Sequence, residues 1–171
     1  MRETKPGSAP HASGRRIAGR AQDAAREDPY EAAAKPAGGT VCGACGAVFA
    51  GGRWTWQAPE TDAPASLCPA CRRIADDAPA GLVAIGGAYA LARRDEIVAI
   101  ARHCETAENA EHPLNRIMSL RVGDDGIEIA TTDVHLPRRI GNALERAHDG
   151  SLHISFDEDG RFVRVAWRRE G

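Results

Sequence analysis

The stretch VCGACG at residues 41–46 has a partner in LCPACRR at residues 67–73, and the two together decide how the first half of the chain is organised. Each contains a C-x-x-C pair, which presents two thiolates to one point, so that four soft ligands reach a tetrahedral metal ion. The four cysteines are Cys42, Cys45, Cys68 and Cys71. Gly46 permits the tight backbone turn that such a pair often uses. We therefore predict one structural Zn²⁺ in a zinc ribbon over residues 40–75.

The remaining cysteine and the apolar pattern indicate the environment of the protein. Cys104 falls on the apolar stripe of a predicted helix, so we expect it to be a core residue. No apolar run reaches the roughly 18 residues of a membrane helix, and the N-terminal residues hold no signal segment. We therefore expect a cytoplasmic protein without a membrane partner, in a reducing compartment where paired cysteines hold metal more often than they form disulfides.

The charge is distributed unevenly along the 171 residues. Residues 1–40 have a net charge of +2, residues 41–75 of +1 and residues 76–171 of −5, which gives −2 in all. Bulk electrostatics therefore do not predict nucleic-acid binding. Residues 1–39 are rich in Gly, Pro, Ala and Ser and poor in large apolar side chains, so we predict a disordered tail there.

From residue 81 the hydrophobic periodicity alternates between strand and helix. The predicted strands are 81–87, 116–122, 126–132, 151–156 and 161–167, with helices over 93–108 and after the turn at 132–137. The order β-α-β-β-α-β-β predicts an α+β, ferredoxin-like domain over residues 81–169, in which the last strand pairs with the sixth element. The helices would cover one face of the sheet and leave the other open.

The stretch IATTDVHLPRRIG at residues 129–141 places an acid, an imidazole and two guanidinium groups at a predicted helix start. Capping explains most of these residues, because Thr132 or Asp133 is suited to accept backbone N–H bonds and Pro137 is tolerated in a first turn. A site for an anion or a phosphate explains His135, Arg138 and Arg139 together.

Catalysis by Asp133 and His135 is the third interpretation of that stretch. It requires a nucleophile or an open metal site, and the sequence indicates neither. Glu111 and His112 form another acid–imidazole neighbour pair, which would complete a site if the two loops meet.

Other basic and aromatic side chains are candidates for contact with RNA. Trp54 could stack on a base, although a core position is expected for at least one of Trp54 and Trp56. Arg72 and Arg73 follow the second cysteine pair, and Arg164 shares the outer face of the last hairpin with Phe162. A basic face with one aromatic ring can bind single-stranded RNA, whereas the alternative is a solvated surface.

Six motifs in chain order resemble those of a bacterial family of uncharacterised small zinc-ribbon proteins: DPY, VCGACGAVF, GRWTW, CPACRRIAD, EHPLNRIM and TTDVHLPRRIG. The resemblance covers about residues 28–168. Pro137 stands where the bacterial motif is expected to carry alanine. The cysteine knuckles are also distantly similar to those of the large-ribosomal-subunit export adaptor family, which implies association with the ribosome. Some family members are labelled ATPases, but this chain lacks the G-x-x-x-x-G-K-[ST] loop.

Together these features favour a non-enzymatic zinc-ribbon module that binds RNA or associates with the ribosome. A protein-interaction adaptor is one alternative, because the larger part of the chain is acidic. A hydrolase or nuclease that uses the Asp133–His135 region is another.

Overall fold

The computed structural model of the chain describes residues 28–30 and 35–171. The first part of these residues forms a small sheet with strand order β3-β2-β1-β4, followed by one short helix. Its elements are β1 Val41–Cys42, β2 Val48–Ala50, β3 Arg53–Thr55, β4 Ala65–Ser66 and α1 Pro69–Ala75. We call β1–β4 with α1 the cysteine module, because all four predicted metal ligands lie in it or in its turns.

The remaining residues form a larger unit with five strands and three helices. Its elements are β5 Gly81–Gly86, α2 Ala88–Ala92, α3 Arg94–Asn109, β6 Ile117–Val122, β7 Ile127–Thr131, α4 His135–His148, β8 Ser151–Phe156 and β9 Val163–Arg168. Each predicted strand and helix of this unit is present within a few residues of its expected position, whereas the short α2 was not predicted. The α+β class is therefore confirmed. No described helix has the length and apolar character needed to span a bilayer.

The ferredoxin-like strand order is not confirmed. The five-stranded sheet has the order β6-β7-β5-β9-β8, so that β9 lies between β5 and β8, which the split βαβ motif would place side by side. β9 pairs in parallel with β5 and antiparallel with β8. Its inward residues Val163, Val165 and Trp167 are at most 1% exposed. Alternation predicts which face of a strand is buried, but it does not separate a central strand from an edge strand.

The core of the larger unit lies between this sheet and the helices α3 and α4. α4 contributes Leu136, Ile140 and Leu144, which are fully buried against β5 and β9. Cys104 of α3 lies in the same core, as expected, and its burial raises the pKa of its thiol. The opposite face of the sheet is more open, since Leu82 of β5 is 38% exposed.

Part of the predicted tail packs on the cysteine module. Asp28 forms an ion pair of 2.5 Å with Arg73, whose side chain is only 7% exposed. The Arg73 guanidinium also lies 4.3 Å from the ring centre of Tyr30, and the Tyr30 hydroxyl donates a hydrogen bond of 3.1 Å to Asp76. The predicted domain boundary at residue 39 therefore leaves out Asp28 and Tyr30, although both contact α1 or the residue that ends it. Residues 1–27 and 31–34 of the predicted tail lie outside the described residues.

We expect Asp28→Asn to lower the free energy of unfolding by about 1.5–3 kcal/mol, because it leaves the buried Arg73 guanidinium without its counter-charge. Urea denaturation of the metal-loaded protein would measure the change. Asp124→Asn, in the exposed β6–β7 turn, is the matched control and should stay within about 0.5 kcal/mol. Equal effects of the two substitutions would show that the Asp28–Arg73 pair does not stabilise the fold.

Candidate metal centre

Two tight turns bring the four cysteines together. In the first, Gly46 adopts a positive φ of 78°, its N–H donates to the Cys42 carbonyl (2.8 Å), and the Cys42 N–H donates to the Ala47 carbonyl (2.7 Å). In the second, Cys68 precedes α1 and its Sγ accepts a hydrogen bond from the Cys71 N–H at 3.4 Å. Pro69 opens α1 at a position where a missing N–H costs nothing.

The four sulfur atoms fit a four-coordinate metal ion. All of them lie within 4.8 Å of one another, and the Sγ atoms of Cys45 and Cys68 are 3.8 Å apart. A tetrahedron with metal–sulfur bonds of about 2.3 Å has edges of about 3.8 Å. Cys42 and Cys68 are at most 1% exposed. Four protein ligands around one point form a closed site, the kind that stabilises a fold rather than activates a substrate.

Backbone N–H groups directed at the sulfur atoms favour their charged form. Burial raises the pKa of the Cys42 thiol. Hydrogen bonds from the backbone, of which the one from the Cys68 N–H (3.3 Å) has the largest effect, outweigh burial and lower the pKa to about 6. Burial raises the pKa of the Cys45 and Cys68 thiols. Packing several thiolates together in a buried space requires positive charge, which a metal ion supplies.

A second source of positive charge comes from the larger unit. The Arg116 Nη2 donates to the Sγ atoms of Cys71 (3.2 Å) and Cys68 (3.4 Å). Burial lowers the pKa of Arg116, whereas the Cys71 sulfur raises it, and the net shift is upward. Sequence reasoning missed this residue, which lies 45 positions beyond Cys71 and has no spacing that links it to the cysteines.

The predicted RNA-contact residues of the cysteine module differ in how much of each side chain is exposed. Trp54 is 8% exposed and packs edge-to-face on Phe49, with 5.6 Å between ring centres, so little of its ring remains for a base. Trp56 is 43% exposed and donates its indole N–H to the Asn109 carbonyl (2.5 Å). Arg73 is buried in its ion pair with Asp28, whereas Arg72 is half-buried and lies near the Ser66 hydroxyl, at 3.4 Å.

His135, Arg138 and Arg139 are brought together on α4. They line a shallow groove of about 550 Å³, which we call the arginine groove; its other residues are Asn142, Glu145 and Arg146. Arg139 pairs with Glu108 at 2.5 Å, and Arg138 lies 5.7 Å from the ring centre of the exposed Phe156. Arg146 was not predicted, although it follows Arg139 by seven residues, a spacing that places both on one helix face. Arg164 lies on the outer face of β9, above the Phe162 ring at 4.7 Å, and does not line this groove.

Asp133 caps α4. Its Oδ1 accepts hydrogen bonds from the backbone N–H groups of His135 (2.7 Å) and Leu136 (2.8 Å), which supports the capping interpretation. Its Oδ2 is buried and has no hydrogen-bond partner among the described residues. Burial raises the pKa of the Asp133 carboxyl, and the two N–H groups offset only part of that effect.

The two acid–imidazole loops line one cleft. Glu111 and His112 line the same space as Asp133 and His135, and residues of the cysteine module line it as well. We call this space of about 1120 Å³ the intermodule cleft. Among the described residues, however, only the four cysteines form a group of three or more metal-binding side chains whose ligand atoms lie close together. The cleft residues therefore do not form a second metal site in this arrangement.

We expect purified protein to contain one metal ion per chain, lost in Cys42→Ser and Cys68→Ser because each removes one of the four thiolates. Elemental analysis of protein purified under reducing conditions would measure the ratio. Cys104→Ala is the control, since this buried cysteine lies in the other core and should leave the metal content unchanged. A wild-type ratio near zero would contradict the site.

Comparisons with known proteins give no match: no family model, no curated protein and no solved structure corresponds to this chain. The resemblance to the bacterial zinc-ribbon family stays a prediction. The function is therefore argued from the residues of this chain.

Proposed function

We propose that the protein is a non-enzymatic RNA-binding module, built around one structural Zn²⁺, that acts on free RNA or on RNA within the ribosome. Zinc suits the centre because Zn²⁺ is commonly held by four cysteine thiolates in structural sites. The ion would hold the cysteine module in shape, and its thiolates leave no open position for a substrate.

Basic side chains along two adjoining depressions, interspersed with Asp28, Glu108, Glu111, Asp133 and Glu145, are the observation that supports RNA as the partner. His135 lines both the intermodule cleft and the arginine groove, so the two depressions adjoin at this side chain. The cleft contributes Lys35, Arg53 and Arg72 from the side of the cysteine module, and the groove contributes Arg138, Arg139 and Arg146 from α4. A net charge of −2 for the whole chain makes this local clustering of basic side chains the relevant electrostatic feature.

The shape of the two adjoining depressions favours a single strand over a duplex. Grooves that track a phosphate backbone beside exposed aromatic rings are typical of single-strand binding. Phe156 is 47% exposed and lies beneath the Arg138 guanidinium, so a base stacked there would meet both groups. The adaptor alternative is favoured by the acidic charge of residues 76–171.

We expect the double substitution Arg138→Ala with Arg146→Ala to weaken binding of a labelled twelve-nucleotide uridine RNA and to reduce its salt dependence. Loss of two phosphate contacts should lower the slope of log K against log salt by about 1.4, since each contributes about 0.7 for a single strand. Fluorescence anisotropy over a salt series would measure it.

Arg94→Ala, an exposed arginine at the start of α3, is the matched control and should leave the slope unchanged. Thermal unfolding should confirm that the double variant is folded. No binding by the wild type, or an unaltered slope in the double variant, would refute the RNA interface. A protein partner recovered in place of RNA would support the adaptor.

A hydrolase or nuclease remains the second candidate, and the presence of both acid–imidazole loops in the lining of one cleft favours it. Burial raises the pKa of the Asp133 carboxyl, and the neighbouring His135 acts in the opposite direction. Because no second group of metal ligands converges among the described residues, such catalysis would depend on general acid–base chemistry.

We expect no cleavage of the same RNA when divalent cations are not added, because a binding module contacts the phosphates without transferring protons to the RNA. Gel electrophoresis of RNA incubated with wild type and with His135→Ala would test this. A metal-independent cleavage that falls at least about 100-fold in His135→Ala would replace the binding proposal with an enzymatic one.

A further inference from the structure

We propose that Arg116 is a functional member of the metal centre: its guanidinium compensates the charge of the thiolates and ties the larger unit to the cysteine module while metal is bound. This inference rests on metal binding by the four cysteines and does not depend on RNA binding.

The charge of the centre calls for such a partner. A divalent ion with four thiolates keeps two excess negative charges, which a buried site must offset. Arg116 Nη2 lies 3.2 Å from Cys71 Sγ and 3.4 Å from Cys68 Sγ, so one cationic group serves both ligands of the second turn. These two cysteines are at most 8% exposed, which leaves little room for water to take over the role of Arg116.

Burying the Arg116 guanidinium is unfavourable unless negative charge lies beside it. Its contact with the Cys68 and Cys71 sulfur atoms therefore depends on the charge of the metal centre. Its Nε is buried and has no partner among the described residues, so the guanidinium is not satisfied by hydrogen bonds alone. A buried cation without an anion is strongly unfavourable. A metal ion holds the four sulfur atoms together and keeps the ligating thiols deprotonated, and it thereby maintains the acceptors of Arg116.

The backbone of Arg116 carries the contact into the larger unit. Its N–H donates to the Thr132 hydroxyl at 3.0 Å, and the Thr132 N–H donates to the Arg116 carbonyl at 3.0 Å. The Thr132 hydroxyl in turn donates to the Leu114 carbonyl at 2.5 Å. Thr132 is followed by Asp133, the cap of α4, so Arg116 links the metal centre directly to the turn that forms one wall of the intermodule cleft.

Two further contacts between described residues of the two parts come from the same stretch of chain. Leu114 packs against the core of the cysteine module, and the Asn109 carbonyl accepts the Trp56 indole N–H. Residues 109–116, which we call the docking segment, therefore join the module to the larger unit. Arg116 supplies the cationic contact of this segment, and its strength follows the charge of the metal centre.

The test compares Arg116→Gln, which removes the charge, with Arg116→Lys, which keeps it on a single ammonium that cannot fork to two acceptors. Arg121→Gln is the control, because Arg121 is an exposed arginine in β6, the strand that follows Arg116. Zinc affinity is measured by competition with a chromophoric chelator. We expect Arg116→Gln to lose about 10- to 100-fold in affinity, Arg116→Lys to lose less, and Arg121→Gln to match the wild type.

Hydrogen exchange with and without zinc supplies a second readout. In the wild type, zinc removal should speed exchange in residues 114–117 and 131–136, whereas the interior of α4 should stay protected and report that the larger unit remains folded. In Arg116→Gln these two stretches should already exchange fast with zinc bound.

The outcomes separate the two proposals. A wild type that binds no zinc refutes the zinc centre itself. A wild type that binds zinc, together with an Arg116→Gln variant of unchanged affinity and exchange, overturns the role of Arg116 and leaves the zinc centre intact. Should Arg116→Gln fail to fold, Arg116→Met takes its place, because it removes the charge and keeps an unbranched side chain; affinity and exchange equal to the wild type in that variant overturn the proposal as well.

Discussion

The convergence of four sulfur atoms on one point is the constraint on which the rest of this molecule depends. The strands of the cysteine module are two or three residues long, and its core contains seven buried residues, three of which are cysteines. So few apolar side chains do not bury enough surface to fix a sheet of this size. The geometry of the cysteine turns, rather than hydrophobic packing, therefore positions everything that the module presents to the rest of the protein.

The docking segment connects the cysteine module to both candidate surfaces, the intermodule cleft and the arginine groove. On one side it contacts the sulfur atoms through Arg116; on the other, Asn115 donates to Glu108, which pairs with Arg139 of the arginine groove. Pro113 is fully buried within the segment and limits its conformational freedom. The walls of the intermodule cleft and the orientation of the groove thus share one short stretch of chain, so the two surfaces are expected to respond together when the metal centre changes.

Local patterns predicted what local physics determines. The cysteine spacing, the strand alternation and the capping role of Asp133 were all readable from neighbouring residues. Trp54 and Trp56 are instructive, because a core position was expected for at least one of them. Trp54 is buried, whereas β3 ends at Thr55 and Trp56 is exposed. The sheet order, the Asp28–Arg73 pair and the Arg116 contact could not be predicted, since each joins segments at least 45 residues apart and no periodicity records such pairings. The RNA partner stays a prediction, because groove chemistry alone does not identify a ligand.

The central position of β9 has a consequence for biosynthesis. Gly81 of β5 pairs with Val163 of β9, so the middle of the sheet cannot close before the ribosome has released residues up to about 168. Until then β5 offers an unpaired edge that carries Val83 and Ile85, the kind of surface on which nascent chains associate wrongly. The cysteine module is complete by residue 75 and can acquire its metal ion first. Synthesis thus allows the cysteine module to form before the strand that completes the centre of the larger sheet has been made.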